Sequence, residues 1–187
     1  ASYLYPSAGF GGENFSHDIM TLANTVSGTG VKSQLLAQVW EINQQQKELL
    51  FRKLWNYFHG DLNGKTVAIW GAAFKENTSR IQQSPIHVML NALWAQGVKV
   101  KLHDPQALAE IEKIYGHRED LIYCTDQYEA VKDSHALCLL TAWKQYCIPD
   151  YKIFLQTMQN PLILDGRNSF DPDYVKAQGL AYMGVGR

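Results

Sequence analysis

Apolar residues recur at helical spacing through the first third of the chain. The pattern predicts a helix at about His17–Val26 and a second at about Val31–His59, separated by the turn residues of Ser27–Gly30. At 1.5 Å per residue the second helix would be roughly 40 Å long, far longer than an average globular helix. Such a helix bridges two bodies or pairs with a partner, unless it is simply an exposed helix of one domain.

The pattern changes after the turn cluster GDLNGK at 60–65, where β-branched apolar runs begin to alternate with helical segments. We therefore predict a helical part at 1–60 and a second domain at 61–187. Strand–helix–strand units need crossovers and give parallel pairing, so the expected fold is α/β: a long connecting helix followed by a doubly wound, Rossmann-like parallel sheet. The predicted strands are Thr66–Trp70, Val98–His103, Leu121–Cys124, His135–Thr141, Leu162–Leu164 and Leu180–Met183. The predicted helices are one that Ser84 and Pro85 open and that stops before Gly97, then Ala107–Tyr115, Gln127–Val131, Tyr151–Met158 and Pro172–Ala177.

A glycine-dense loop leads into the first helix, where Gly9–Asp18 reads GFGGENFSHD. Gly11 and Gly12 take positive φ without strain, and Ser16 is predicted to be the helix N-cap. An anion or a sugar hydroxyl can sit against such a helix start, although most glycine-rich turns before helices are only turns.

Ligands of doubly wound sheets bind beyond the carboxyl ends of the strands, which draws attention to three loops. Lys75, in GAAFKENT after the first strand, meets a phosphate or a sugar oxygen, or is simply solvated. Arg167, in DGRN, binds a phosphate or a ribose, or pairs with Asp165 or Asp171. Trp143, in TAWKQY, is either a lid on the core or a stacking surface for a base.

Composition narrows the ligand class. The 187 residues carry a net charge of −1, which gives no general attraction for nucleic acid or for an anionic membrane, so a small ligand is expected. The three cysteines are odd in number, and neither they nor the isolated histidines have metal-ligand spacing. We expect no metal, no membrane span, no signal peptide and a reducing, cytoplasmic location.

Several motifs, in this order, resemble the UDP-glucose/GDP-mannose dehydrogenase family: GFGGENFSHD, the long helix, GAAFKENT followed by Ser84 and Pro85, His103-Asp104-Pro105, and DGRN. The resemblance covers nearly the whole chain and identifies it as the carboxyl-terminal half of such a protein. It implies a UDP-sugar substrate, NAD held mainly by an amino-terminal Rossmann domain outside this chain, and a homodimer formed through the long helix.

The resemblance also implies site residues. It assigns substrate binding to Gly9, Phe10, Gly11, Phe74, Lys75 and Arg167. In the family the loop reads like GFGGSCFPKD, and its cysteine attacks the aldehyde made by the first hydride transfer, so that a second transfer gives a thioester that water hydrolyses to the uronate. Asn14 stands at the cysteine position, and a carboxamide nitrogen is not a usable nucleophile because its lone pair is delocalised. Asn14 can still hydrogen-bond a C6 oxygen, while Asp18, which in the family assists the water and proton steps, is retained.

Other positions depart from the family pattern as well. Glu13 replaces a small serine of the loop. The second motif reads like GLAFKxNTDDxR in the family, and here its paired aspartates are Ser79 and Arg80. On the cofactor side, His17 replaces the loop lysine, and Gln82 replaces the arginine that helps hold NAD.

These observations lead to three hypotheses. The first is part of an NAD-dependent UDP-glucose 6-dehydrogenase-like enzyme that oxidises the sugar C6 alcohol toward a uronate, with the thioester route closed by Asn14. The second is a catalytically degenerate paralogue that binds a UDP-sugar or regulates an active relative. The third is altered chemistry, a single oxidation that stops at the aldehyde.

Overall fold

A computed structural model describes residues 5–28 and 34–187. Within these ranges the chain forms eight α-helices and six β-strands. The helices are α1 Glu13–Gly28, α2 Gln34–Lys47, α3 Leu49–Tyr57, α4 Pro85–Trp94, α5 Leu108–Tyr115, α6 Gln127–Val131, α7 Tyr151–Thr157 and α8 Pro172–Ala177. The strands are β1 Thr66–Trp70, β2 Lys99–His103, β3 Leu121–Tyr123, β4 Ala136–Leu139, β5 Leu162–Asp165 and β6 Ala181–Gly184.

All the strands pair in parallel, in the order β3-β2-β1-β4-β5-β6. The order reverses between β1 and β4, which is the switch point of a doubly wound sheet and opens a crevice at the carboxyl ends of these strands. The predicted α/β fold is confirmed. Each predicted strand and each helix that follows Gly60 is present, with ends that agree or are shifted by at most two residues.

The sheet is covered by two helix sets, with α3 contacting α4 and α6 contacting α7. Right-handed crossovers on either side of the switch point place these sets on opposite faces. Trp70, at the end of β1, is completely buried; its indole donates to the Gln127 carbonyl at 2.9 Å and stacks on Tyr146 with ring centroids 4.7 Å apart. This aromatic packing ties β1 to the elements around α6.

Side-chain caps explain where several helices begin. Ser84 accepts from the Ile86 amide at the start of α4, with Pro85 in the first turn, as the sequence predicts. Asp126 and Asp171 cap α6 and α8 in the same way. Each cap gives a hydrogen-bond acceptor to backbone amides of the first turn, which have no partner within the helix.

The first helix begins earlier than predicted. It starts at Glu13, directly after Gly12, so Ser16 lies inside the first turn and is not the N-cap. The residue before the helix is Gly12, which has φ 91° and no side chain that could cap the helix. The Ser16 hydroxyl is buried and has no hydrogen-bond partner among the described residues.

The long helix predicted at Val31–His59 is divided in two. Its first residues, Val31–Ser33, lie outside the described part of the chain, and α2 ends at Lys47. The Arg52 guanidinium donates to the Gln45 carbonyl at 3.0 Å, while the Glu48 amide turns to the same carbonyl at 3.2 Å. This intrusion into the hydrogen-bond ladder breaks the helix at Glu48.

The helical part is not separate from the sheet. Leu50 and Leu54 of α3 are completely buried in the same hydrophobic core as the strands. The division at residue 60 therefore stays a prediction.

No helix in the described part of the chain has both the length and the apolar character needed to cross a bilayer.

One buried carboxylate joins the loops at the carboxyl edge of the sheet. Oδ2 of Asp104, after β2, accepts from the amides of Ala72 and Ala73 after β1, at 2.7 and 3.1 Å. Oδ1 accepts from the amides of Gln106 and Ala107, both at 2.8 Å.

Trp143, in the loop after β4, completes this arrangement. Its indole donates to Asp104 Oδ2 at 3.1 Å, and its side chain is buried. Of the two interpretations left open by the sequence, Trp143 is the core lid and not an exposed stacking surface. The loops after β1, β2 and β4 are thereby held by a single side chain.

We predict that Asp104→Asn lowers the free energy of unfolding by about 3 kcal/mol, because the new amide group faces backbone donors and leaves them unpaired. Urea denaturation measures the change. Asp126→Asn is the matched control: it also replaces an acceptor of backbone amides, but asparagine caps a helix as well as aspartate does, so the cost should stay below about 0.5 kcal/mol. Equal losses in both variants would contradict the role given to Asp104.

Candidate functional site

The glycine loop lies against the carboxyl edge of the sheet domain. At its start the Ala8 amide donates to the Gly166 carbonyl at 2.8 Å, and at its end the Gly12 amide donates to the Gln82 carbonyl at 2.9 Å. The loop therefore contacts both the DGRN segment and the turn that follows GAAFKENT. The structure brings together motifs that are about 70 and 155 residues apart in sequence, as a parallel sheet allows.

Two of the loop glycines are required by this close approach. A Cβ on Gly11 would lie 2.6 Å from the Gln83 carbonyl oxygen, and one on Gly12 would lie 2.8 Å from the Phe74 ring. Backbone and ring cannot move aside together, so any side chain here would push the loop away from the sheet domain. Gly12 has the positive φ that the sequence predicts for both residues, whereas Gly11 does not.

A cavity of about 450 Å³ lies between the loop and the segment after β1. Phe10 and Phe15 form one wall, in an edge-to-face pair with centroids 4.9 Å apart. The lining residues are Phe10, Gly11, Gly12, Glu13, Asn14, Phe15, Phe74, Lys75 and Arg80. The volume is in the range of small-molecule sites, and the mix of aromatic walls with a few polar groups is typical of them.

Three charged side chains line this cavity: Glu13, Lys75 and Arg80. Lys75 and Arg80 are exposed, and neither forms an ion pair with a described residue; the Lys75 ammonium lies 5.6 Å from the centre of the Phe74 ring. Glu13 contributes one negative charge to the same lining. The sum is one excess positive charge, which suits an anionic ligand.

Asn14 and Asp18, assigned to catalysis by resemblance, and His17, assigned to the cofactor, line an adjoining, more polar cavity, whereas Gln82 lines neither cavity. Glu13, Asn14, His17 and Asp18 surround about 470 Å³ at the first turn of α1, and Asn14 borders both cavities. His17 Nδ1 lies 4.0 Å from Asp18 Oδ1, and both side chains are exposed. The arrangement offers carboxylate, imidazole and carboxamide groups but no thiol or hydroxyl nucleophile among its lining residues.

The cysteines do not replace the missing nucleophile. Cys138 is completely buried in β4, where burial raises the pKa of its thiol, and burial raises the pKa of Cys124 to about 11. Cys147 is exposed but follows the short 3₁₀ helix Lys144–Tyr146. None of the three lines either cavity.

Arg167 lies after β5, outside the lining of the 450 Å³ cavity. Asp165 is completely buried and accepts from the amides of Arg167 and Phe170, at 3.0 and 2.9 Å, and from the Tyr182 hydroxyl at 3.1 Å. No described residue hydrogen-bonds or pairs with the Arg167 guanidinium. Of the alternatives left open by the sequence, the ion pair with Asp165 or Asp171 is not formed.

Strand spacing relates Arg167 to Lys75. Since β4 lies between β1 and β5, the loops that carry the two cations leave the sheet roughly 10 Å apart. A ligand that spans both cations must therefore be extended along the carboxyl edge of the sheet.

The structure gives the histidines structural partners. His87 contacts the Tyr115 hydroxyl and the Ile81 carbonyl, at 2.7 and 2.9 Å, and His103 Nδ1 lies 2.6 Å from the Tyr146 hydroxyl. Burial lowers the pKa of both imidazoles. The described residues contain no cluster of His, Cys, Asp and Glu that would hold a metal ion.

Two residues of α2 that sequence analysis missed are Asn43 and Lys47, which contact the glycine loop. Their side chains are buried, and Asn43 bonds both backbone polar groups of Phe10. A signal was present: Asn43 and Lys47 share the helix face that continues with Leu50 and Leu54. Polar residues at core-facing positions mark such contacts.

Comparison with known proteins follows the same division of the chain. The family model for the UDP-binding domain of the UDP-glucose/GDP-mannose dehydrogenase family matches residues 68–172, and the model for the central domain of that family matches residues 1–45. The first match covers the sheet from β1 to β5, but not β6, together with the loops that follow these strands. The second covers the glycine loop, α1 and most of α2.

Two curated relatives and one solved structure are similar to nearly the whole chain. The chain is 38% identical over 188 residues to a UDP-glucose 6-dehydrogenase of Pseudomonas aeruginosa, covering 99% of this chain and 42% of that protein. It is 32% identical to the UDP-glucose 6-dehydrogenase TuaD of Bacillus subtilis, covering 99% of this chain and 40% of that protein. A UDP-glucose dehydrogenase structure from Pyrobaculum islandicum superposes with a TM-score of 0.79 at 26% identity, over 96% of this chain and 38% of that one.

The chain thus spans about two-fifths of the length of the relatives it matches. The order of the two family matches, the sheet topology and the glycine loop seated at the switch-point edge give one conclusion. The chain belongs to the UDP-glucose/GDP-mannose dehydrogenase family.

Proposed function

We propose that this chain binds the nucleotide sugar in an NAD-dependent nucleotide-sugar 6-dehydrogenase-like protein, with UDP-glucose as the model substrate. The observation that carries the proposal is the cavity between the glycine loop and Phe74–Lys75, with its unpaired cations. A UDP-sugar is a dianion with a planar aromatic base and a polar sugar, so it suits a site that has both aromatic and polar walls. The carboxyl edge of a doubly wound sheet is where such a ligand is expected.

Each site residue has a role in this proposal. The loop backbone at Gly9, Phe10 and Gly11 contacts the sugar, and Phe74 forms the wall opposite. Lys75 meets a phosphate or sugar oxygen, and the free Arg167 guanidinium holds the nucleotide end.

The chain's own part in C6 chemistry is limited. Asn14 borders the sugar cavity and donates a hydrogen bond to a C6 oxygen, and Asp18, one turn further along α1, is a proton acceptor. NAD supplies hydride acceptance when bound. His17 and Gln82 are the residues of this chain placed on the cofactor side, and the exposed Gln82 carboxamide cannot provide the charge of an arginine.

Domain use follows the family matches. We propose that residues 1–60 supply the loop and the helical interface, that residues 61–187 hold the nucleotide, and that NAD is bound mainly by a domain outside this chain. The free cysteines support a reducing, cytoplasmic location.

We predict that this chain binds UDP and UDP-glucose, and that Lys75→Ala and Arg167→Ala each weaken binding by about tenfold or more, since each removes a charge-assisted hydrogen bond to the ligand. Calorimetric titration measures the affinity, and the ligand-induced rise in Tm reports binding to the folded state. Lys99→Ala is the matched control, because Lys99 is an exposed cation at the opposite, amino-terminal edge of the sheet. Absence of binding by the unmodified chain at millimolar ligand, or tighter binding of GDP-mannose, would contradict the assignment.

The alternative function, a degenerate UDP-sugar-binding or regulatory paralogue, is favoured by the loss of the nucleophile at Asn14. We predict that a protein joining this chain to its NAD-binding domain makes no uronate through a covalent intermediate. Asn14→Cys should increase NAD-linked uronate formation by at least about a hundredfold, because it restores the thiolate.

The measurement is NAD reduction with product analysis, and Asn14→Ser, which adds only an unactivated hydroxyl, is the control. No turnover from Asn14→Cys favours the degenerate paralogue. Aldehyde accumulation in the unmodified protein supports a single oxidation.

We also propose that the chain forms a homodimer through α1 and α2. These helices expose apolar side chains, among them Leu35 at 77%, Ile42 at 54% and Phe15 at 51% exposure. Stable monomers rarely expose such apolar surface. A second copy presenting the same helices would cover this surface.

We predict that Ile42→Glu weakens dimerisation by about tenfold or more, because it places a charge in an apolar interface. Sedimentation velocity over a concentration series measures the change. Gln45→Glu, an exposed position of the same helix, is the control and should leave the dimer intact. An unmodified chain that stays monomeric at high concentration would refute the proposed homodimer.

A further inference from the structure

Two buried polar residues lie on one face of α2. Asn43 is 3% exposed and Lys47 is 2% exposed, one helical turn apart, and they are the buried residues of this helix. Burying an amide and an ammonium is unfavourable unless their polar atoms are bonded, so the partners they have indicate their role.

Asn43 holds the glycine loop by two hydrogen bonds to one residue. Its Oδ1 accepts from the Phe10 amide at 2.7 Å, and its Nδ2 donates to the Phe10 carbonyl at 3.1 Å. Phe10 lies outside any helix or strand and forms a wall of the 450 Å³ cavity. A single side chain on α2 thus fixes the backbone at the entrance to the ligand site.

Lys47 connects the same loop to the turn after GAAFKENT. Its stem packs on Gly9, where a Cβ would lie 2.9 Å from the lysine Cγ, and its ammonium donates to Gln83 Oε1 at 3.4 Å. Gln83 has φ 56°, and its neighbour Gln82 accepts the hydrogen bond from Gly12. The ammonium also lies 5.8 Å from the centre of the Trp40 ring, and burial lowers the pKa of Lys47.

We propose that Asn43 and Lys47 are positioning residues of the nucleotide-sugar site, an inference that rests on the function proposed above. They fix the distance between the Phe10–Gly12 backbone and the turn at 80–83, so that the cavity exists before the ligand arrives. A preformed site does not lose affinity to the ordering of its loop.

Gln46 distinguishes positioning from general stabilisation. It also lies on α2, and its Nε2 donates to the Ser7 carbonyl at 2.8 Å, just before the loop. Neither Ser7 nor Gln46 lines the 450 Å³ cavity. Removing this bond should weaken the fold without moving the cavity wall.

The first experiment compares Asn43→Leu with Gln46→Leu by calorimetric titration of UDP-glucose, at a temperature where both variants are fully folded. Both should lower Tm, but Asn43→Leu should weaken binding by about tenfold because the competent loop conformation becomes a minor population. Gln46→Leu should bind within about twofold of the unmodified chain. Hydrogen exchange of the Phe10 amide should accelerate in Asn43→Leu alone.

The second experiment uses Lys47→Met, which keeps the apolar stem against Gly9 and removes the buried ammonium. Tm should stay the same or rise, because replacing a poorly paired buried charge with an apolar group is often stabilising. Affinity for UDP-glucose should nevertheless fall by about threefold, since the turn at Gln83 loses its link to α2. A residue that serves stability alone would not give opposite changes.

The outcomes separate the two proposals. If the unmodified chain binds UDP-glucose and Asn43→Leu and Lys47→Met bind it equally well, the positioning role is overturned and the function stands. If the unmodified chain binds no UDP compound, the proposed function fails and the inference fails with it.

Discussion

The close approach of the glycine loop to the sheet domain is the constraint on which the site depends. Gly11 and Gly12 bring the chain within contact distance of Gln83 and Phe74, and the Gly12 amide bonds the Gln82 carbonyl. Without that approach, the first turn of α1 would not face the segment after β1. Because the loop and the sheet belong to parts of the chain far apart in sequence, this contact turns two ordinary surfaces into one cavity.

The other wall of the cavity, formed by the segment after β1, is also held by hydrogen bonds. Asp104 is buried and accepts five hydrogen bonds from three loops, so the backbone at Ala72 and Ala73 is fixed just before Phe74 and Lys75. Fixed backbone on both sides leaves the exposed side chains of Lys75 and Arg80 as the adjustable groups. This division between rigid walls and free charged tips is typical of a binding site that is formed before its ligand arrives.

The side chains that line the two cavities are better suited to binding than to covalent catalysis. Binding requires walls, amides and cations, all of which are present, whereas the thioester route requires a thiol. Asn14 supplies hydrogen bonds only, and the buried thiols of Cys124 and Cys138 have raised pKa values and lie outside both cavities. Family membership therefore does not by itself assign the covalent step to this chain.

Local sequence patterns were sufficient to predict the order of the elements and the fold class. Strands such as Thr66–Trp70 are short, apolar and bounded by turn residues, and Ser84-Pro85 is a local helix start, so the information lies within a few residues. The motifs of the site were also local, as GFGGENFSHD and GAAFKENT show.

Other features depend on contacts between segments that are distant in sequence. The break at Glu48 depends on Arg52 reaching back to Gln45, and the role of Trp143 depends on Asp104 of another loop. The grip of Asn43 on Phe10 spans 33 residues. Such contacts form because distant segments share the limited polar partners of a packed interior, and no local pattern specifies which partner each group will meet.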